Sequence, residues 1–507
     1  MNLQSLSALA GQSVSMHELQ DLNKALQASG APMAKASAGY PTQGQAGSGS
    51  FAPLVPQSIQ STLDTATYSE MAVKLWKKLT KVNVTSPLHE STVVSAYGNM
   101  DLDPFIAEGA NGTNSDGTYT RKIVKVKYLA EQREITDVAT MAGIMGYSGG
   151  VSRQGLAQQT IDGTKALMGK LERALFLGSS LMGVEGAGGE GLQFDGLYQQ
   201  VAQPTYDGAT GAHTIAANGS NYLNLDGAEL TPQDLINKLY DVAAAPNFGY
   251  VNTIMLDPRV YAKLVNIATS FGRFQMSPSN STQLVFGSEG LSIAGPGGMV
   301  SIEQAPLSTN RADQNTDPFG DPGTFTLPIA NVAQAASGTS KFGAADAGGY
   351  RYRFVGVGDK GITAPVKVLT GVNETTITVL AGQKVTFTMG DAAQPISGAG
   401  GIRYYRVYRT AVGNTDGDSA TYMWQFPRNP TVAAATVIVD ENLHRPSTGQ
   451  AYLLQMDPGV MYWAQLLDFL RRPLAQATTS IPFLLMLFGS LHVKVPTKCG
   501  IIDNVSF

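Results

Sequence analysis

The segment from Ser148 to Leu197 constrains the fold of this 507-residue chain more than any other part of it. Its first part repeats apolar residues at helical spacing, and charged residues fall on the opposite side. The apolar positions are Leu156, Gly163, Leu167, Leu171, Ala174 and Leu175, and the outward polar positions are Asp162, Lys165, Glu172 and Arg173. We predict an amphipathic helix of roughly 27 residues, about 40 Å long. Many large proteins contain such a helix, so the pattern alone does not identify a function.

The low charge content is a second constraint. Charged residues make up 15% of the chain, against about 25% in typical soluble proteins. Fewer charges are needed if neighbouring subunits cover much of the surface, which favours an extensive assembly. A glycine-rich secreted β protein is the alternative. The net charge of −4 provides no overall basic field, which argues against a dedicated DNA-binding protein.

The sequence carries no signal for secretion, disulfide bonding or membrane insertion. The single cysteine, Cys499, excludes an intrachain disulfide framework, and we interpret it as a small buried apolar residue. The first fifteen residues lack the basic start and apolar core of a secretory signal. The apolar run at 481–489 is too short to cross a bilayer. We therefore expect a soluble protein made in a cytoplasm.

Residues 1–86 are predicted to form an N-terminal arm. The arm contains a short helix at 17–28, a low-complexity run that ends near residue 50, and a second helix from Ser58 to Lys81. The basic side of this second helix is formed by Lys74, Lys77, Lys78 and Lys81. A solvated helix face explains most lysine runs of this kind; the functional alternative is contact with nucleic-acid phosphates.

Residues 87–137 change to a strand pattern. Apolar residues alternate with lysines at 124–128, after the turn-rich sequence EGANGTNSDG at 108–117, which predicts a long hairpin with a loose tip. We expect its first strand to carry Asp101, Asp103 and Glu108 and its second to carry Arg121, Lys122, Lys125 and Lys127. Opposite charges would fix how neighbouring hairpins overlap, and the unpaired edges of a projecting hairpin favour association.

Three later segments carry a family resemblance when they are taken in order. They are GLQFDGL at 191–197, which follows the helix ending ERALFLG at 172–178 after a short glycine-rich break, then TIMLDPRVY at 253–261, and finally PFLLMLFGSLHVKVP at 482–496 with IIDNV at 501–505. Their order and spacing resemble the major capsid proteins of tailed bacteriophages, which have the Hong Kong 97-like fold. The resemblance covers residues 51–303 and 447–507.

The resemblance implies an α+β capsid fold with defined parts. These are an arm at 1–86, an extended loop at 87–137, a peripheral domain with the long spine helix at 138–230, the first part of an axial domain at 231–321, and a closing part of the axial and peripheral domains at 447–507. Thr231 as N-cap, Pro232 at the first helical position and a strand at 253–256 before a helix agree with such a domain. Arg471, Arg472 and the stretch Ile481–Phe488 would lie in the axial region and support contacts between subunits.

Residues 322–446 depart from the family pattern. They hold short strand-like runs separated by Gly, Pro and Asp turns, at 350–357, 375–380, 384–389, 404–409, 422–426 and 435–439. This spacing is typical of a β-sandwich, and the two aromatic-arginine strands resemble immunoglobulin-like and fibronectin-type domains. An inserted domain is tolerated where the chain ends of its host lie close together at the surface. We therefore expect it on the outer face of a shell.

The sequence gives little support for catalysis. A phosphate-binding loop is lacking, and the G-x-S-x-G match at 146–150 lacks the preceding strand that a hydrolase requires. Neither paired histidines nor the loop spacing of a calcium site occurs, so we expect no metal and no cofactor. Some capsids of this fold cross-link a lysine to a neighbour's asparagine. Lys122, Lys125 and Lys127 are available here, although nothing identifies an acceptor.

The resemblance therefore implies a structural protein and not an enzyme. We expect the major capsid protein of a tailed phage, assembled in the host cytoplasm into hexamers and pentamers of an icosahedral shell around double-stranded DNA. Its partners would be copies of itself, a portal, a separate scaffolding protein, decoration proteins and the packaged DNA, with no membrane. The alternatives are the shell protein of an encapsulin-type nanocompartment and a phage fibre or adhesin.

Overall fold

The computed structural model describes most of the chain after residue 69. The described residues are 70–99, 102–142, 144–145, 151–152, 155–184, 189–215, 221–270, 291–309, 329–358, 361–370, 373–392, 401–431, 434–476 and 478–507. The predicted helix at 17–28, the first part of the helix predicted from Ser58, Asp101 and the G-x-S-x-G match at 146–150 lie outside these residues. No helix within the described residues is long and apolar enough to span a membrane.

One of the described helices is much longer than the others. This long helix runs from Gly155 to Leu177, which is 23 residues. The α-helices are Leu75–Lys78, Asp137–Ala142, Gly155–Leu177, Leu197–Ala202, Pro232–Ala243 and Pro258–Ser270, with single 3-10 turns at Glu70–Ala72, Ala344–Asp346, Gly417–Ser419 and Pro496–Lys498. The long helix starts later than predicted, because Val151–Ser152 instead pairs as a strand with Ile144–Met145.

Four strands from distant parts of the chain form what we call the long sheet. Their order is Lys81–Asn83, Met461–Pro473, Ser480–Val493 and Lys127–Thr136. The long helix packs on it, and Leu167 of the helix shares a buried cluster with Phe483 and Leu485. Phe483 and Leu485 lie two residues apart in Ser480–Val493 and share the face toward the helix, because successive side chains of a strand point to opposite faces of the sheet.

The long sheet corrects one sequence prediction. Arg471 and Arg472 pair with Leu485 and Leu484 of the long sheet, so they do not lie in the sheet of the expected axial region. The stretch Ile481–Phe488 likewise belongs to the long sheet, where it pairs with Lys127–Thr136. A strand of 14 residues needs partners along its whole length to satisfy its backbone groups, and these two neighbours provide them.

A second, six-stranded sheet carries the predicted axial elements. Its order is Leu291–Gly295, Gly298–Gln304, Thr253–Leu256, Thr448–Leu454, Gly500–Ser506 and Tyr222–Asn224. The helices Pro232–Ala243 and Pro258–Ser270 supply apolar residues to its core. Thr231 caps the first of these helices by accepting the N–H of Asp234, and Pro232 follows it. This capping box and the strand-then-helix at Thr253–Ser270 confirm the predicted elements.

Residues 329–440 form two larger antiparallel sheets and smaller strand pairs. One sheet joins Ile329–Ala336, Gln383–Met389 and Val437–Asp440, and the other joins Gly361–Ile362, Tyr352–Gly358, Tyr404–Arg409 and Thr421–Pro427, with Val366–Lys367 beside it. All six strand-like runs predicted here contain strands. Their buried residues, such as Tyr352, Phe387 and Trp424, belong to the same core cluster as Leu171 of the long helix. These sheets are therefore packed firmly onto the rest of the chain.

The remaining strands form short two-stranded pairs. They are Leu88–Ala96 with Thr118–Lys125, Pro204–Tyr206 with His213–Ile215, Gly348–Tyr350 with Ile377–Val379, and Leu369–Thr370 with Asn373–Glu374. The structure as a whole is a mixed α and β fold in which strands predominate among the described residues.

Candidate functional site

The most exposed apolar surface of the described residues lies on the hairpin. Its strands are Leu88–Ala96 and Thr118–Lys125, paired antiparallel, which agrees with the predicted hairpin. The large apolar side chains exposed on its strands and connection are Leu88, Val94, Tyr97, Leu102, Phe105, Ile106, Tyr119 and Ile123. Tyr97 is 93% exposed and Phe105 is 87% exposed. Apolar surface of this extent marks a contact site for another protein.

The charged residues of the hairpin are placed differently from the prediction. Asp103 and Glu108 lie in the connection between the strands and not on the first strand, which ends at Ala96. The connection between the two strands spans residues 97–117. Both acids therefore lie outside the paired part of the hairpin. Arg121, Lys122 and Lys125 lie on the second strand, whereas Lys127 begins the next strand, which belongs to the long sheet.

The partners of these bases were not found by sequence reasoning. Arg121 forms an ion pair of 3.2 Å with Glu90 of the first strand. Lys125 lies 2.5 Å from Glu190, in the segment after the long helix, and Lys127 lies 3.7 Å from the same carboxylate. Lys125 and Lys127 lower the pKa of Glu190, mainly through the hydrogen bond from Lys125. The pairs of Arg121 with Glu90 and of Lys125 with Glu190 are exposed, so each contributes little stability. The pair of Lys125 with Glu190 joins the hairpin to the segment after the long helix.

Two histidines attach the hairpin to the long sheet. His89 Nε2 and the hydroxyl of Tyr462 are 2.6 Å apart, and Ser91 Oγ and His492 Nε2 are also 2.6 Å apart. The rings of His89, Tyr462 and His492 meet edge to face. Burial is the main cause that lowers the pKa of His492 to about 4, and the neighbouring His89, Lys494 and Lys122 contribute to the same shift. His492 is therefore neutral near pH 7.

A cavity lies beside this attachment. It has a volume of about 690 Å³ and is bounded by the second hairpin strand, the segment 190–205 and the end of Ser480–Val493. Lys122, Lys125, Lys127 and His492 all line it. The predicted basic residues are thus brought together at the root of the hairpin and not along its tip.

The lysines predicted on a basic helix face do not share one face. The helix is only Leu75–Lys78, and Lys81 lies in the strand Lys81–Asn83. For the described residues, the prediction of a helix that continues to Lys81 is therefore wrong. Lys78 donates to Glu303, and Lys81 Nζ lies 4.6 Å from the ring centroid of Trp76. Trp76, on this helix, packs edge to face against Trp463, with ring centroids 5.0 Å apart.

Glu172 of the long helix fixes this part of the arm. It was predicted to face outward, but it is 1% exposed. Its carboxylate accepts the backbone N–H groups of Lys74 at 2.9 Å, Leu75 at 2.6 Å and Trp76 at 3.0 Å. These are the N–H groups that a helix start leaves without internal partners. Burial raises the pKa of Glu172, although the three hydrogen bonds act against that shift.

The segment after the long helix turns back too tightly for side chains at three glycines. A Cβ on Gly178 would lie 2.7 Å from the carbonyl oxygen of Phe194, and one on Gly191 would lie 2.3 Å from that of Met182. A Cβ on Gly196 would lie 2.6 Å from the carbonyl oxygen of Ala174. Because these contacts are with backbone atoms, they cannot relax easily. The glycines of GLQFDGL are therefore required by packing.

The described residues hold no cluster of three or more His, Cys, Asp or Glu side chains that could bind a metal ion. Cys499 is buried, as predicted, and burial raises the pKa of its thiol to about 11. Arg471 lies over the ring of Phe483, with 5.5 Å between its guanidinium carbon and the ring centroid.

No family model matches the sequence. The chain is, however, similar along most of its length to phage structural proteins. A major capsid protein of Staphylococcus phage S25-3 is 23% identical over 433 residues, covering 82% of this chain and 84% of the relative. A protein of Enterococcus phage phiEF24C, assigned as its major capsid protein, is 22% identical over 468 residues, covering 90% of each chain.

Solved structures give a weaker likeness. The capsid of a native GTA particle covers 92% of this chain and 100% of its own, at 10% identity and a TM-score of 0.42. The SrpI encapsulin of Synechococcus elongatus PCC 7942 covers 90% and 94%, at 12% identity and a TM-score of 0.37. Both scores are too low to assign the fold or to separate the two kinds of shell.

The chain is similar over most of its length to structural proteins of virus shells. More particularly, it is a homologue of phage major capsid proteins, which confirms the resemblance predicted from its sequence.

Proposed function

We propose that copies of this chain assemble into hexamers and pentamers of an icosahedral phage shell that encloses double-stranded DNA. The observation that carries the proposal is the hairpin, which exposes Tyr97, Phe105 and Tyr119 to solvent in the isolated subunit. Exposed aromatic side chains on a projecting hairpin are favourable only where another chain covers them. In a shell, that other chain is a neighbouring copy.

The arrangement of the subunit is proposed as Hong Kong 97-like. In this proposal the long sheet and the long helix form the peripheral domain, and the six-stranded sheet forms the axial domain around the capsomer axis. The proposed domain limits stay at 1–86, 87–137, 138–230, 231–321, 322–446 and 447–507. Residues 322–446 form an inserted immunoglobulin-like sandwich on the outer face, where a shell has room for an extra domain.

Several contacts complete the proposal. The hairpin charges, Arg471 and Arg472 are proposed to lie at contacts between subunits. The pairing of Arg471 and Arg472 with Leu485 and Leu484 supports a position in the proposed peripheral domain. The residues proposed to face DNA are Lys74, Lys77, Lys78 and Lys81. The further partners are a portal, a separate scaffolding protein and decoration proteins, and assembly takes place in the host cytoplasm.

Negative-stain electron microscopy of the purified chain, expressed with and without its neighbouring genes, tests the proposal. Closed shells or hexameric sheets are the expected result. Extraction of double-stranded DNA from shells made during infection supports the phage function, and an enzyme cargo supports the encapsulin alternative. A chain that stays monomeric in every combination contradicts assembly and favours a fibre or adhesin.

A further inference from the structure

The connection between the two hairpin strands contains an asparagine followed by a glycine, Asn111 and Gly112. Both residues are exposed, and neither belongs to a helix or a strand. Asparagine is among the residues whose side chains are chemically labile. How fast such a side chain reacts depends on whether the backbone nitrogen of the next residue can reach it.

The backbone nitrogen of Gly112 is free to move. A Cβ built on Gly112 would meet nothing within 4 Å, so the surroundings of this residue are open. Neither Asn111 nor Gly112 forms a hydrogen bond with another described residue. Glycine also adopts backbone conformations that other residues avoid. The nitrogen of Gly112 can therefore approach the side-chain carbon Cγ of Asn111 without breaking a contact of the folded chain.

Asn83, at the start of the same part of the chain, has the opposite surroundings. It is the last residue of the strand Lys81–Asn83. The next residue, Val84, is buried, and its backbone N–H donates to the carbonyl of Gln465 at 2.8 Å. The nitrogen that would have to attack Asn83 is thus held in place, whereas the one beside Asn111 is not.

Asn114 lies in the connection itself but has contacts that Asn111 lacks. Its side-chain amide donates to Asp116 Oδ2 at 3.4 Å. The residue after it, Ser115, accepts the backbone N–H of Asn99 at 2.7 Å through its hydroxyl. A reaction at Asn114 would disturb these contacts, so the structure distinguishes two asparagines that are only three positions apart.

We propose that Asn111 is a site of spontaneous deamidation in the unassembled subunit. The backbone nitrogen of Gly112 loses its proton and forms a bond to Asn111 Cγ, and the bond from Cγ to the side-chain nitrogen breaks. The departing nitrogen takes up the proton and leaves as ammonia, and a succinimide ring remains. Water then opens the ring at either carbonyl carbon, which gives aspartate or isoaspartate. Nothing is oxidised or reduced.

The reaction adds a negative charge to a surface that is already acidic. The sequence of residues 97–117 contains four acidic residues and no lysine or arginine. The same connection exposes Phe105 and Ile106, and a further carboxylate is costly to bury wherever another chain covers it. The next step rests on the proposed function, in which a neighbouring copy covers the hairpin. Assembly should then exclude water from Asn111 and slow its deamidation.

Peptide mapping by mass spectrometry of the purified, unassembled chain tests the site during incubation at mildly alkaline pH. Trypsin releases residues 82–121 as one peptide, so Asn83 and Asn114 serve as internal controls. Deamidation at Asn111 should be at least tenfold faster than at either control, and it should slow at mildly acidic pH because the attacking nitrogen must lose its proton. Equal rates at Asn111 and Asn114 would overturn the proposal.

Gly112→Ala is the matched variant. Its new methyl group hinders the attack but has open space in the folded chain, so deamidation at Asn111 should slow at least fivefold while the free energy of unfolding is unchanged. The urea-unfolded wild-type chain gives the rate without any structure. A native rate far below that of the unfolded chain would mean that the fold protects Asn111, against the proposal.

A second measurement compares assembled particles with free subunits. A rate at Asn111 that is at least severalfold lower in particles supports its coverage by a neighbouring copy. An equal rate in both states overturns the protection by assembly and leaves Asn111 exposed in the particle. The first measurement needs no assembly, so a failure of the proposed function cannot be mistaken for the absence of the reaction.

Discussion

Glu172 Oε1 accepts a hydrogen bond of 2.6 Å from the backbone N–H of Leu75, although the two residues are 97 positions apart. The short helix Leu75–Lys78 has no capping side chain of its own, because Lys74 at its N-cap position makes no such bond. The long helix therefore supplies the cap that the arm lacks. A negative charge at this position is also favoured by the partial positive charge of a helix start.

Replacement of Glu172 should loosen the arm. In Glu172→Gln the side chain keeps one acceptor oxygen, so at least one of the three N–H groups loses its partner. We expect a loss of about 1–3 kcal/mol in the free energy of unfolding, measured by urea titration with tryptophan fluorescence. Glu229→Gln is the control, since Glu229 is exposed in its pair with Lys263, and it should change stability by less than about 0.5 kcal/mol. Equal effects of both variants would contradict the capping role.

Substitution at Gly196 should disturb the turn after the long helix. In Gly196→Ala the new Cβ meets the carbonyl oxygens of Ala174 and Leu175, at 2.6 and 2.9 Å. Overpacking against backbone costs about 1–3 kcal/mol, which a thermal or urea unfolding curve can resolve. Gly112→Ala is matched in chemistry and has open space around it, so it should be neutral. A neutral Gly196→Ala would show that the segment can move aside.

Acid should destabilise the folded subunit below about pH 6.5. The ring of His444 stacks on Trp424, with centroids 3.9 Å apart, and burial lowers the pKa of His444 well below its usual value. Burial also lowers the pKa of His213, beside it, to about 4. An unfolded histidine takes up its proton near pH 6.5, before the folded one does, so stability falls as the pH falls through this interval.

His444→Phe tests this pH dependence because phenylalanine keeps the stack and removes the titrating group. Wild type and variant are compared by urea unfolding at pH 7 and pH 5. The variant should lose about 2 kcal/mol less than wild type over that interval. Asp503, whose carboxylate lies 3.9 Å from His444 Nδ1, acts in the opposite direction, since burial raises its pKa. Parallel losses in both proteins would exclude His444 as the cause.

Removal of one exposed aromatic ring on the hairpin should affect assembly and not folding. Phe105 makes almost no contact within the subunit, so Phe105→Ser should leave the free energy of unfolding within about 0.5 kcal/mol. The yield of assembled particles, measured by sedimentation and electron microscopy, should fall at least severalfold. Leu369→Ser, at an exposed site within residues 329–440, is the control and should assemble normally. Normal assembly of Phe105→Ser would remove Phe105 from the contact.

The parts of the fold with regular apolar spacing could be predicted from the sequence. Leu167, Leu171 and Leu175 are buried as the helical period requires, and Thr231 caps its helix as its sequence context indicates. The strands predicted at 404–409 and 422–426 from short strand-like runs between turns are likewise present. In each of these elements, the pattern that predicts the secondary structure lies in residues that are close together in the sequence.

The rest depends on partners far away in the chain. Glu172 looks like an outward residue because the N–H groups that it binds lie almost a hundred positions earlier. Arg471 was assigned to the wrong sheet because its pairing with Leu485 depends on strand register, which local pattern does not contain. His89 and His492 gave no signal at all, since a single histidine in a strand does not reveal hydrogen-bond partners that lie 373 and 401 positions away.

The order of strands in the long sheet has a consequence for synthesis. The ribosome releases the hairpin well before Ser480–Val493, the strand that holds His492. Domains fold as their parts emerge, and contacts between distant segments form late. Until that strand has emerged, the hairpin lacks its contacts with His492, and Tyr462 is without the neighbouring strand that completes its sheet. We therefore expect that chains terminated before residue 480 cannot enter a particle, so that translation itself screens subunits for this strand.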